Sequence, residues 1–120
     1  MKKLIFMAGL LTASASHAGI YADIAKSKFE SEMVQAIQLM DTTEMKKNKA
    51  ISTLPGMEKE MRNVVRAGLK QKKSCLKIKK DFVIEQGKLM KEEAWPDEDF
   101  AATSLSAMGD YVATVCLDMK

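Results

Sequence analysis

Histidine is almost missing from this chain of 120 residues, and the single one, His17, falls in the first 18 residues. If that segment is removed, no Ser-His-Asp or Cys-His nucleophile system and no His-based metal site is left to build. Glycine is sparse: Gly56, Gly68, Gly87 and Gly109 stand alone, so no Gly-rich phosphate loop exists. Two prolines exclude collagen-like and Pro-rich low-complexity chains. No N-x-S or N-x-T triplet offers a glycosylation site. The two cysteines do not form C-x-x-C, which speaks against a thiol-disulfide oxidoreductase. Without histidine they also fall short of a usual zinc set. Strand-like alternation and internal repeats are absent as well.

What is present begins with a targeting signal. Lys2 and Lys3 form a positive start, Leu4 to Thr12 is a short apolar run, and Ala13 to Ala18 is small and mostly polar. Ser16 and Ala18 suit a cut before Gly19, and Ala13 and Ala15 would also suit a cut after Ala15. The run is about half of the ~20 residues that span a bilayer, which favours a cleaved leader over a retained anchor. The expected organisation is a signal peptide over 1–18 and one domain over 19–120, in the periplasm. No second hydrophobic span stands out, and no cysteine follows the cut as in a lipoprotein.

Removal of the leader takes Lys2 and Lys3 with it. The remaining 17 basic and 16 acidic residues leave a net charge of +1. The basicity of the whole chain is therefore mostly targeting, and nucleic acid is not an expected partner. Cys75 and Cys116 both remain, an even count in an oxidising compartment, and a disulfide between them is expected. It would close a long loop, worth roughly 4 kcal/mol on the chain-entropy argument. The competing expectation is two buried free thiols.

The apolar periodicity is helical. Ile20, Ile24, Phe29, Met33, Ile37 and Met40 trace one amphipathic helix over 20–40. Asp41-Thr-Thr-Glu44 resembles a capping box and predicts a restart, with a short helix or loop over 42–53. Leu54-Pro55-Gly56 reads as the clearest break. A stripe from Met57 to Met90 predicts helix over 57–94, with a bend or break within 67–75 and Ser74 as a candidate cap. Pro96, at a first helical position, and Asp97-Glu98-Asp99 mark the start of a last helix over 97–118. Its inward stripe includes Phe100, Leu105, Met108, Val112, Val115 and Cys116. The expected fold is all-α, a small bundle of about four helices, with Cys75–Cys116 clamping the last one.

Charge is uneven. Residues 61–80 carry Arg62, Arg66, Lys70, Lys72, Lys73, Lys77, Lys79 and Lys80 and no acid; residues 92–99 carry Glu92, Glu93, Asp97, Glu98 and Asp99 and no base. The plain expectation is two solvated faces that attract each other in the fold. The sharper one is that Arg62, Arg66, Lys70, Lys73 and Lys77 meet an acidic partner, a negatively charged protein in the first place and an anionic membrane surface as the less favoured alternative. Glu93 and Asp97 stand at helical spacing, but helix capping explains acids there better than catalysis does. Eight methionines follow the leader, with Met57 and Met61 one turn apart. Thioethers suit Cu(I), although a Met stripe is more often core. The expected function is a non-enzymatic protein-binding module without a cofactor, such as an inhibitor or immunity protein against a periplasmic effector. The alternative is a Met-based Cu(I) or small-ligand carrier.

Overall fold

Every regular element among the described residues is an α-helix, as the periodicity predicts. A computed structural model describes the backbone of residues 5–93 and 97–120, and the side chains of 19–93 and 97–120. The helices are α1 (Ile5–Gln38), α2 (Glu44–Ser52), α3 (Leu54–Lys70), α4 (Cys75–Glu92) and α5 (Glu98–Met119). Trp95 and Pro96, expected to end one helix and start the next, lie outside the described residues, as do the side chains of the expected leader.

Helix α1 buries Ala25, Phe29, Met33 and Ile37, a strict four-residue spacing. Ile20 and Ile24, expected on the inward stripe, face solvent instead. Ile24 precedes Phe29 by five residues, which turns it well away from the buried face at 3.6 residues per turn. Between α1 and α2 the capping box does not form. Thr43, not Asp41, caps α2, accepting from the Lys46 amide.

Pro55 starts a helix rather than breaking one. The junction is Thr53, and Pro55 occupies the first turn of α3, where its missing N–H costs nothing. The expected break in 57–94 falls at Gln71–Ser74, which divides that stretch into α3 and α4. There the Lys73 amide donates to the Gly68 carbonyl, and Lys72 takes φ 62°, the left-handed turn that ends the helix. Ser74 then caps α4 by accepting from the Lys77 amide. Asp97 caps α5 through the Phe100 amide.

Helix α5 is the centre of the bundle and packs on α1, α3 and α4. Val112, Val115 and Cys116 have essentially no exposure, and Tyr111 stacks at a tilt on Phe29 with ring centroids 5.4 Å apart. By length and composition α5 could cross a membrane; in this fold its apolar character serves the core. Cys116 is bonded to Cys75 at the first position of α4, so the disulfide ties the end of α5 to the start of α4. Near the same level Asp118 Oδ2 accepts from the Ala22 amide of α1.

Candidate functional site

Helices α3 and α4 form a hairpin that closes at one end and opens at the other. Closure is set by Gly68, which has no side chain and lets Ile78 of α4 rest against the backbone of α3. Toward the start of α3 and the end of α4 the glycines make no such contact: nothing lies within 4 Å of a Cβ on Gly56, and one on Gly87 would meet only Leu105 of α5. A groove of about 350 Å³ opens between the two helices there, with Gly56 among its lining residues.

Met57, Met61 and Val64 of α3 form one wall of this groove, Phe82 of α4 the other, and Met108 of α5 contributes from below. Met61, Phe82 and Met108 belong to the core and Val64 is exposed at the lip, so the groove continues the core to the surface. The volume lies at the lower end of the range for small-ligand and side-chain pockets. Methionine is unbranched and polarizable, and a wall built from it can reshape around an apolar guest. Two polar groups stand among these side chains, the Glu60 carboxylate and the Gln86 amide. Glu60 has no ion-pair partner among the described residues.

The cations singled out in the sequence are not at the groove, and they do different things. Arg62 donates to the Tyr111 hydroxyl at 3.0 Å, half-buried, and so joins α3 to α5. Arg66 donates to Asn63 Oδ1. Lys73 and Lys77 both pair with Asp81, at 3.2 and 2.9 Å, and Lys77 chiefly holds that carboxyl below its ordinary range, with Lys73 adding to it. Lys70 is exposed. Arg62, Arg66 and Lys70 lie on α3, while Lys77, Lys79 and Lys80 near the start of α4 stand roughly 20 Å of helix from Glu92 at its end. At the acidic end Asp41, Asp97, Glu98 and Asp99 line one open depression.

A second polar feature lies between α1 and α3. Glu58 is 2% exposed, and its Oε2 is buried with no partner that donates to it. Burial pushes its carboxyl up to about 7, and the neighbouring Glu30 carboxylate adds to the effect. Lys26 bonds Glu30 and reaches Glu58 Oε1 at 3.5 Å. Lys26 holds Glu30 below its ordinary range, with Glu58 contributing. The chemical form that satisfies all three is a neutral Glu58 donating its proton to an ionised Glu30.

The sequence reading did not single out Glu58, Val64 or Phe82 as site residues. A signal for Glu58 existed: Leu54, Glu58, Met61 and Val65 follow spacings of four, three and four, which puts an acid in the buried stripe. No family model, curated protein or solved structure matches the chain.

Proposed function

We propose that this chain is an exported, non-enzymatic binding module that grips a partner protein through the groove between α3 and α4. The observation that carries this reading is the groove itself, a core-continuous, methionine-walled opening with the unpaired Glu60 beside it. Its chemistry calls for a segment with an apolar anchor and an adjacent Lys or Arg. The anchor would fill the space between Met57, Met61 and Phe82, and the cation would meet Glu60. The disulfide points to an oxidising compartment. Together with the leader-like residues 1–18, this supports action in the periplasm, where an inhibitor or immunity factor for an effector is the form such a module would take.

The test is site-specific photocrosslinking in the periplasm from a benzoylphenylalanine placed at Val64, with Ile84 on the outer face of α4 as the comparison. The expected result is one adduct from position 64. The adduct partner, purified, should bind the parent chain and bind Met57→Lys and Glu60→Lys at least about tenfold more weakly. Adducts of equal yield from both positions, or unchanged affinity in both variants, would overturn the reading.

The three thioethers on the groove also support a second reading, a carrier of Cu(I) or of a small apolar ligand. Titration with Cu(I) under reducing conditions that spare the disulfide would show saturable binding lost in Met57→Leu/Met61→Leu. Absence of binding removes that option.

A further inference from the structure

The end of the bundle opposite the groove has its own character, and the protein-binding reading does not use it. Four structural features converge there. The end of α3, the turn after it and the second turn of α4 display Lys70, Lys72 and Lys80, all exposed and without ion-pair partners among the described residues. Lys73 and Lys77 flank them and share one carboxylate, Asp81, so that trio keeps a positive charge. In the middle of these lysines Leu76, in the first turn of α4, is 76% exposed. The Cys75–Cys116 bond and the Ala22–Asp118 hydrogen bond bring the start of α4 and the part of α1 around Ala22 to the last turn of α5. Ile20, Tyr21 and Leu117 are therefore at this same end, each two-fifths to one-half exposed.

An exposed leucine ringed by lysines, with a tyrosine and further aliphatic side chains at the same level, is the pattern of a surface that lies on lipid. Lysine ammoniums meet anionic headgroups, the apolar side chains enter the interface, and tyrosine sits at headgroup depth. The acids at and beside this end are few: Asp81, Asp110 and Asp118 are engaged, and Asp23 is exposed. The far end carries the acids Asp41 and Asp97 to Asp99. That far end also carries Lys46, Lys47 and Lys49 of α2, so its charge is mixed, whereas the lysine end is predominantly positive and is the one a negative surface would favour.

We infer that the end of the bundle bearing Leu76 and the lysines of the α3–α4 turn seats on an anionic phospholipid surface. In that pose α3 and α4 rise from the surface, and the groove, at their other ends, stands clear of it in the aqueous phase.

Vesicle flotation tests the inference, using the oxidised chain recovered from the periplasm. Vesicles are made of phosphatidylcholine alone or mixed with phosphatidylglycerol. The expected result is binding to the mixed vesicles only, weakened by added salt. The triple variant Lys70→Glu/Lys72→Glu/Lys80→Glu should lose roughly tenfold or more in partition, and Leu76→Ser roughly fivefold, each with an unchanged helical spectrum and melting curve. Equal binding to both vesicle types, or full binding by the triple variant, would overturn it. A Leu76→Ser chain that floats like the parent, with poly-glutamate competing fully, would also overturn it, in favour of an acidic protein. Failure here leaves the crosslinks from position 64 unaffected, since Val64 lines the groove and those report on it.

Discussion

Ile78 Cγ1 lies 2.6 Å from the point where a Cβ on Gly68 would stand. Real side-chain atoms do not approach so closely, and Ile78, buried in the core, has little room to withdraw. Gly68→Ala should therefore cost roughly 1–2 kcal/mol of stability, overpacking outweighing the better helix propensity of alanine. Gly56→Ala is the control: nothing lies within 4 Å of its Cβ, and it should be neutral or stabilising by a few tenths to about 1 kcal/mol. Urea unfolding of the two variants checks both. A stabilised Gly68→Ala would mean that the hairpin is not closed by this contact.

The disulfide carries a second expectation. Replacing Cys75 and Cys116 together by alanine should lower stability by roughly 2–5 kcal/mol. Proteolysis should then release the end of α5 first, because Cys116 is its covalent tie to α4. Alkylation of the unreduced native chain should label neither cysteine, and two labels would refute the bond.

Glu58 predicts a pH dependence. Its folded pKa, about 7, lies above the ordinary value of 4.5, so the folded chain holds more protons between those values. The contribution of Glu58 is fully present below about 4.5 and is lost as pH rises through 7. Glu30 shifts the other way, and its contribution is lost only below its own ordinary range. Stability should therefore fall from pH 5 to 8, and Glu58→Gln, which stays neutral and can still donate to Glu30, should flatten the slope. At pH 8 the variant should be more stable than the parent by roughly 1–3 kcal/mol. Melting curves across that range decide it; a parallel slope in the variant would exclude Glu58 as the source.

The Arg62–Tyr111 bond should have a modest, measurable value. Tyr111→Phe keeps the ring on Phe29 and removes only the acceptor, at a cost of about 1 kcal/mol. In a double-mutant cycle with Arg62→Met the two losses should be less than additive. Full additivity would mean that the bond contributes nothing.

Helix content, the break before Ser74 and the cysteine pairing were legible because each depends on local spacing or on an even count. The groove was not. Its lining comes from α3, α4 and α5, and the periodicity of any one of them does not show how the three meet; nor does a lone glycine such as Gly68 hint at what it will touch. The use of Arg62 was hidden for the same reason, since its acceptor is 49 residues away in the chain. Where the charges of 61–80 and 92–99 sit was not legible either: the basic stretch is divided between α3 and the start of α4, and Glu92 ends α4. Thr43 won the cap that Asp41 was expected to take; a pattern of four letters fits more than one register.

The hydrogen bond from Ala22 to Asp118 has an engineering consequence. In a chain made without residues 1–18, Gly19 and Lys120 lie within a few residues of that bond, so a short flexible linker would join them into a ring. New ends could then be cut at Thr53 or within Gln71–Ser74, where the chain already leaves its helices. A circular permutant opened at Gln71–Ser74 that still folds would show that the α3–α4 turn is needed to present the lysines and not to build the bundle.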